Sequence, residues 1–188
     1  MITGYVQSLE HGGNVLTLQF TYIDTAQLYE NEDSVSAAVK ASGRKREELY
    51  LLTKFGVDLE PGQTVRDSLV ASLAKMGTTY VDLFLVHSPR CASNNNMTVR
   101  QLWGEMEALK REGLTRSIGV SNFFAEDIKE VLDGCNVVPA VNQVSWGLKL
   151  RIYTDDDRSS CTRMYGTQVE KLSKYVKNII SLYSHTAP

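Results

Sequence analysis

Short apolar runs alternate with stretches of helical periodicity through the central part of this chain. Five of the runs end in a polar residue that can take part in chemistry: Tyr22-Ile23-Asp24, Leu51-Leu52-Thr53-Lys54, Leu83-Phe84-Leu85-Val86-His87, Ile118-Gly119-Val120-Ser121-Asn122 and Ala140-Val141-Asn142-Gln143. Strands that alternate with helices predict βαβ units and a parallel sheet. A buried strand with a reactive residue at its carboxyl end is how such a sheet or barrel presents an active site.

The elements between residues 20 and 144 are predicted from apolar spacing and from capping residues. Helices are expected from Asn31 to near Gly43, after Thr64, after Thr98 with Gln101 as its capping-box partner, and over residues 125–132. Strands are expected at residues 46–54, 80–87, 117–122 and 137–144, with a turn at Pro61-Gly62 and a loop at Asn94-Asn95-Asn96.

The two ends of the chain follow different patterns. Residues 15–23 alternate apolar and polar side chains, which predicts one extended strand. Residues 166–183 carry apolar side chains at helical spacing, so a final amphipathic helix is expected after a polar loop at residues 153–162. No strand followed by a reactive residue is predicted after residue 144, so the repeated pattern stops there.

Composition excludes several classes of protein. The 188 residues are 43% hydrophobic and 22% charged, and the formal net charge of -2 gives no electrostatic reason to expect nucleic acid or an anionic membrane as a partner. No apolar run approaches the roughly 20 residues of a transmembrane helix, and the first 19 residues lack the pattern of a secretory signal. The three cysteines are widely spaced, which favours reduced thiols and a cytoplasmic location.

Four polar residues near successive strand ends form a readable chemical group. Asp24, Lys54 and His87 end three strands, and Tyr29 follows Asp24 by five residues. A lysine ammonium beside a tyrosine stabilises the phenolate, and a carboxylate holds the lysine in place. A histidine can orient a carbonyl oxygen, so together the four could protonate a carbonyl as hydride arrives at its carbon. The alternative is a buried ion pair beside a core tyrosine and histidine, which is favoured for one residue alone but not for all four.

The motifs around these residues resemble the aldo-keto reductase family. They are Ile23-Asp24-Thr25-Ala26, Tyr29-Glu30-Asn31-Glu32, Leu52-Thr53-Lys54, Tyr80-Val81-Asp82-Leu83, His87-Ser88-Pro89, residues 113–123 and Val141-Asn142-Gln143. They occur in family order over residues 20–144. The resemblance implies an α/β fold of the (β/α)8 TIM-barrel type and a nicotinamide-dependent enzyme that reduces aldehydes and ketones.

The resemblance also implies a role for each matching residue. Tyr29 matches the general acid, Asp24 and Lys54 its tuning pair, and His87 the residue that orients the carbonyl of a small-molecule substrate. The residues implied in binding the cofactor, NADP(H), are Asp24, Ser121, Asn122 and Gln143. No metal is expected, because the three histidines, at positions 11, 87 and 185, have no ligand spacing.

The chain departs from the family pattern at both ends. Residues 1–188 are expected to form a single domain in which residues 1–19 and 145–188 diverge, leaving a partial barrel of about five βα units that is truncated at both ends. A barrel of this type has about 250 residues. The leading hypothesis is an NADP-dependent carbonyl reductase, acting as a monomer or as a homodimer that completes the barrel by exchange. The alternative is a catalytically inactive fragment that results from alternative splicing, gene decay or a mis-drawn gene model and at most binds a partner.

Overall fold

Six parallel strands form one curved sheet with helices packed on its outer face. The computed structural model describes residues 4–5 and 21–144. The strands lie in chain order, each hydrogen-bonded to the next: β1 (Gly4–Tyr5), β2 (Tyr22–Asp24), β3 (Tyr50–Phe55), β4 (Val81–Val86), β5 (Thr115–Ser121) and β6 (Asn142–Gln143). The helices are α1 (Glu32–Ser42), α2 (Val65–Met76), α3 (Arg90–Asn94), α4 (Val99–Arg111) and α5 (Ala125–Leu132), with 3₁₀ turns at Gln27–Tyr29 and Arg46–Glu48.

This arrangement confirms the predicted partial TIM barrel. The main core lies between the sheet and the helices, where Leu51, Phe84 and Val120 meet apolar side chains of α2, α4 and α5. Alternate strand residues point to the opposite, concave face because side chains along a strand alternate. There Leu52 and Leu85 are buried together in a small second cluster. In the (β/α)8 barrel fold, the active site lies at the carboxyl ends of the strands and uses residues from several of them.

The predicted helices are confirmed, and the starts of α2 and α4 and the end of α1 lie where the capping residues place them. Thr64 accepts a hydrogen bond from the backbone N–H of Asp67 at the start of α2, and Thr98 accepts one from Gln101 at the start of α4. Gly43 ends α1 in the left-handed conformation with φ of 65°, which costs glycine little. These ends were predictable because each depends on residues within one turn of the helix.

The strand predicted at residues 46–54 begins later, at Tyr50. Arg46–Glu48 forms a 3₁₀ turn instead, in which the Glu48 carboxylate accepts from the backbone N–H of Lys45 at 2.8 Å. The Arg46 guanidinium donates to the carbonyl oxygens of Leu49 and Tyr80. These contacts hold the backbone in a turn before the strand starts.

Two further predictions need correction. Part of the loop predicted at Asn94 to Asn96 belongs to the short helix α3, which ends at Asn94. The strand predicted at residues 137–144 is reduced to Asn142–Gln143. The segment before it bonds to side chains of α4 instead, because Glu107 accepts from the backbone N–H of Val137 and Trp103 Nε1 donates to the Val137 carbonyl.

The amino-terminal strand β1 was not predicted. Its residues pair with β2 in the register Gly4 with Ile23 and Tyr5 with Asp24, which makes the described sheet six-stranded rather than five-stranded. The predicted strand at residues 15–23 lies outside the described residues except for its end, which forms part of β2. The predicted loop at 153–162 and helix at 166–183 also lie outside them. Among residues 4–5 and 21–144, no helix has the length and apolar character needed to cross a membrane.

Candidate active site

Strand register brings three of the predicted residues to one face of the sheet. Asp24 pairs with Leu52, and Lys54 pairs with Leu85, two residues before His87. All three side chains therefore point to the concave face near the carboxyl ends of β2, β3 and β4. The parallel arrangement makes this a consequence of fold rather than of sequence proximity, since the three lie 30 or more residues apart.

Lys54 is the buried centre of the group. Only 2% of its side chain is exposed, and its Nζ donates to Asp24 Oδ1 and, at 3.0 Å, to the carbonyl oxygen of Thr25. Burial lowers the pKa of Lys54, and the hydrogen bond and charge of Asp24 oppose that shift. Asp24 thus favours the ammonium form in a place where burial disfavours it.

Tyr29 lies on the 3₁₀ turn between β2 and α1, over the lysine. The Lys54 Nζ atom is 5.1 Å from the centroid of the Tyr29 ring. The His87 ring meets it edge to face, with centroids 5.6 Å apart and an interplanar angle of 85°. Tyr29 is 39% exposed, so a molecule in solution can reach it. The four predicted catalytic residues therefore form one contiguous cluster.

His87 is enclosed on the side away from the tyrosine. Its backbone N–H donates to the Phe55 carbonyl at 2.9 Å, which continues the ladder between β3 and β4. Its Nδ1 is buried and has no hydrogen-bond partner among the residues that the structure describes. A Cβ atom at Gly56 would lie 3.0 Å from Nδ1 and 2.9 Å from the side chain of Leu28. Burial, and then the charge of Lys54, lower the pKa of His87, so its imidazole is neutral at pH 7.

The residues predicted to bind the cofactor lie beside this cluster at the ends of β5 and β6. Ser121 pairs with Gln143, and its hydroxyl donates to the Gln143 carbonyl at 2.8 Å. Asn122, in the left-handed conformation with φ of 58°, donates from Nδ2 to the His87 carbonyl and to Ser121 Oγ. Gln143 Nε2 donates to Asp24 Oδ2 at 2.7 Å. The structure thus places all seven predicted site residues in one connected group.

Two residues that bear on the geometry of the site were not predicted. Gln27 is buried, and its side chain ties the turn that holds Tyr29 to α2 and to the end of β3. Gly56 leaves room for Leu28 and His87 to approach the chain end of β3. Their position two residues before Tyr29 and two after Lys54 was the only signal available in the sequence.

Other features of the described chain do not add to the site. No group of three or more histidine, cysteine, aspartate or glutamate side chains in residues 21–144 could hold a metal ion. A surface depression of about 350 Å³ lies elsewhere, between the segment 59–65, residues 94–97 and Glu105. It contains none of the predicted site residues.

Comparison with known proteins gives consistent matches. The model of the aldo/keto reductase family matches residues 7–165. An aldo-keto reductase of Mycolicibacterium vanbaalenii is 42% identical over 125 residues, which are 66% of this chain and 44% of that protein. An NADPH-dependent alpha-keto amide reductase of Saccharomyces cerevisiae is 35% identical over 66% of this chain and 40% of that protein. The chain therefore spans less than half the length of these relatives.

Solved structures agree with this result. The aldo-keto reductase of the silkworm, Bombyx mori, is 34% identical and gives a TM-score of 0.63 over 69% of this chain and 43% of that one. An aldo-keto reductase complexed with NADPH gives the same identity and TM-score over 69% of this chain and 42% of that chain.

Proposed function

The chain belongs to the aldo/keto reductase family, and from that premise we propose that it is an NADP(H)-dependent oxidoreductase that reduces the carbonyl group of a small aldehyde or ketone to an alcohol. The observation that carries this proposal is the contact of Tyr29 with both Lys54 and His87, with Asp24 bonded to the lysine. No single member of this group could do the chemistry alone.

Tyr29 is proposed as the general acid. A tyrosine hydroxyl is ordinarily a poor acid at neutral pH. The Lys54 ammonium beneath the ring stabilises the phenolate that remains after the proton has moved to the carbonyl oxygen. Asp24 is needed to keep that lysine charged, because burial works in the opposite direction. The carboxylate therefore acts on the substrate only through the lysine.

His87 is proposed to position the carbonyl oxygen. A neutral imidazole carries one proton, and a proton on the enclosed Nδ1 would be a donor without an acceptor among the described residues. The proton is therefore placed on Nε2, which can donate to a carbonyl oxygen that also faces Tyr29. The imidazole orients the substrate while the tyrosine supplies the proton.

The polar residues at the ends of β5 and β6 fit the nicotinamide part of the cofactor. Ser121, Asn122 and Gln143 present hydroxyl and amide groups side by side, and a carboxamide both donates and accepts hydrogen bonds. When bound, NADPH supplies the hydride that reduces the carbonyl carbon. Asp24 completes this set through Gln143, which it holds at 2.7 Å.

The test is a titration of the purified chain with NADPH, followed by turnover of an aromatic aldehyde. Saturable cofactor binding and aldehyde-dependent oxidation of NADPH are expected, and Tyr29→Phe should bind NADPH but lose turnover. No saturable binding at millimolar NADPH would instead support the inactive-fragment hypothesis. Light scattering on the same sample distinguishes a monomer from a homodimer that completes the barrel.

A further inference from the structure

We propose that Gln27 is a positioning residue that fixes Tyr29 over Lys54 by tying the 3₁₀ turn Gln27–Tyr29 to helix α2 and to the end of β3. This role rests on the proposed function insofar as it concerns catalysis. The geometric part of it concerns where the tyrosine ring lies and can be tested whether or not the chain turns over a substrate.

The 3₁₀ turn that carries Tyr29 is a short element. It is three residues long and is closed by two backbone hydrogen bonds, from Tyr29 to Ala26 and from Glu30 to Gln27. Glu30 ends it in the left-handed conformation with φ of 51°, which a residue with a side chain adopts at some cost. Short 3₁₀ segments have poorer hydrogen-bond geometry than α-helices, so the position of such a turn depends on contacts outside it.

Gln27 supplies those contacts with both ends of its amide. Its Nε2 donates to Ser72 Oγ at 3.1 Å and to Ser68 Oγ at 3.3 Å, two hydroxyls one turn apart on α2. Its Oε1 accepts from the backbone N–H of Gly56 at 3.2 Å. The residue is only 7% exposed, so these bonds replace water rather than compete with it.

The neighbouring groups fix the orientation of the amide. The Gly56 N–H can only donate, so an oxygen must face it. The Ser68 hydroxyl already donates to the Val65 carbonyl at 2.9 Å, so it can only accept from Gln27. The nitrogen must therefore face the helix. Glutamine satisfies both requirements at once, whereas a hydrocarbon side chain satisfies neither.

The contact with Gly56 links the tyrosine to the rest of the site. Gly56 follows Lys54 by two residues, and a Cβ atom there would lie within 3.0 Å of His87 Nδ1. One buried amide thus sets the turn bearing Tyr29 against the strand that carries Lys54 and beside the ring of His87. A displacement of about 1 Å between reacting groups can reduce the rate of an enzyme by about a hundredfold.

Three variants test this role. Gln27→Leu removes the hydrogen bonds made by both the nitrogen and the oxygen of the Gln27 amide, while keeping a side chain of similar volume. The double variant S68A/S72A keeps the glutamine but removes its two acceptors on α2. Thr64→Ala is the matched control, because it removes the cap of the same helix at an exposed position away from the site. Replacing such a cap weakens a helix without touching Gln27.

For an active chain, kcat, KM and the Kd of NADPH are measured for each variant. Gln27→Leu and S68A/S72A should each lower kcat by roughly tenfold or more and leave the Kd of NADPH unchanged. A further variant that combines all three substitutions, Q27L/S68A/S72A, should be no worse than Gln27→Leu, because the three side chains act as one unit. Thr64→Ala should lower thermal stability but leave kcat unchanged. A wild-type kcat in both Gln27→Leu and S68A/S72A would overturn the proposal.

If the wild-type chain shows no turnover, the proposed function fails, and an NMR measurement decides the geometric part. The His87 Cε1–H resonance, assigned by its loss in His87→Asn, senses the ring current of Tyr29. Gln27→Leu and S68A/S72A should shift it, whereas Thr64→Ala should not. Should the resonance stay at its wild-type position in both site variants, Gln27 does not position Tyr29. S68A/S72A keeps this arm decisive even where Gln27→Leu does not fold.

Discussion

Gln143 Nε2 donates a hydrogen bond to Asp24 Oδ2 at 2.7 Å, although the two residues lie on β6 and β2, four strand spacings apart. In a flat sheet these strands would be separated by about 19 Å. The two side chains can meet only because the sheet curls and turns its concave face inward. The same bond joins the proposed cofactor-binding residues to the proposed catalytic group, since Asp24 also accepts a hydrogen bond from Lys54.

The bond predicts how the stability responds to changes at Gln143. Gln143→Leu should lower the free energy of unfolding by about 1.5 kcal/mol, the lower end for a hydrogen bond to a charged group, because Asp24 keeps Lys54. Gln143→Glu should cost more at pH 7.5, since it places a carboxylate against Asp24. The excess should shrink at pH 5, because the introduced carboxyl takes up a proton more readily beside a like charge. Urea denaturation at pH 7.5 and at pH 5 measures the free energy of unfolding of each variant. Equal stability of Gln143→Glu and wild type at pH 7.5 would contradict the prediction.

A second prediction separates the structural and chemical roles of the buried ion pair. Lys54→Met leaves Asp24 without its cation and should lower the free energy of unfolding by about 3 kcal/mol or more. Adding Asp24→Asn should restore much of that loss, because neither charge is then left without its partner. Neither variant should regain activity, and kcat should stay at least roughly a hundredfold below wild type. Denaturation and steady-state kinetics on the two variants give both readouts, and recovery of kcat in the double variant would contradict the role of Lys54.

The sequence was most informative where structure is decided locally. Thr64 and Thr98 cap α2 and α4 through residues three positions later, so both helix starts could be predicted from short patterns. The strand boundaries could not, because they depend on distant groups. Arg46 donates a hydrogen bond to the Tyr80 carbonyl, and the Glu107 carboxylate accepts one from the backbone N–H of Val137. At both places the local sequence pattern predicts a strand, but these contacts hold the backbone in another conformation.

The site shows the same division. Asp24, Lys54 and His87 were predicted to lie together because the carboxyl ends of parallel strands share one edge. The contribution of Gln27 could not be predicted, because its partners Ser68 and Gly56 are brought to it only by packing of α2 against the sheet. A buried glutamine has no sequence signature that distinguishes it from an exposed one.

The pH dependence of stability follows from His87. Its pKa is lowered in the folded chain by burial and by Lys54, whereas in the unfolded chain it returns to about 6.5. The unfolded state therefore binds more protons as the pH falls through 6.5, so stability is present above that value and is lost below it. Between pH 7.5 and 5.5 the free energy of unfolding should fall more steeply for wild type than for His87→Gln. Equal slopes in urea denaturation at the two pH values would show that His87 is not the group responsible.

Asp82 is predicted to stabilise the opposite end of the sheet. It is buried, and its carboxylate accepts from Arg46 Nη2 at 2.8 Å, from Arg116 Nη1 at 3.1 Å and from the backbone N–H of Leu51 at 2.9 Å. Asp82→Ala removes the acceptor of the buried Leu51 N–H and the carboxylate partner of both arginines, although Arg46 Nη2 keeps the Tyr80 carbonyl. It should lower the free energy of unfolding by about 3 kcal/mol. Because the cluster lies at the amino ends of the strands, NADPH binding by the protein that remains folded should be unchanged.

The matched control for Asp82 is an ion pair of similar length on the surface. Arg66 Nε lies 2.7 Å from Glu112 Oε2, but the two side chains are 51% and 41% exposed. Arg66→Ala should therefore change stability by about 0.5 kcal/mol or less. If Asp82→Ala lowers the free energy of unfolding by no more than Arg66→Ala does, burial adds nothing to the stabilising effect of the Asp82 interactions.

Gly56 is predicted to be intolerant of a side chain. A Cβ atom there would lie 2.9 Å from Leu28 Cδ1 and 3.0 Å from His87 Nδ1, and real contacts of this kind are longer. Leu28 is 59% exposed and can move away, whereas the His87 ring is packed edge to face against Tyr29. Gly56→Ala should therefore reduce kcat/KM by roughly tenfold or more, through a displaced imidazole, with a smaller effect on stability.

The control for this change is Gly104, where an added Cβ atom would meet nothing within 4 Å. Because Gly104 lies inside α4, Gly104→Ala should raise the free energy of unfolding by about 0.5 to 1 kcal/mol and leave kcat/KM unchanged. Adding Leu28→Ala to Gly56→Ala removes one of the two clashes, so the recovery of kcat/KM measures the contribution of Leu28. The loss of kcat/KM that remains in the double variant is due to the clash with His87. A Gly56→Ala variant with wild-type kcat/KM would show that the His87 imidazole can shift without loss of activity. The close approach of Gly56 to His87 would then not determine where the substrate carbonyl is held.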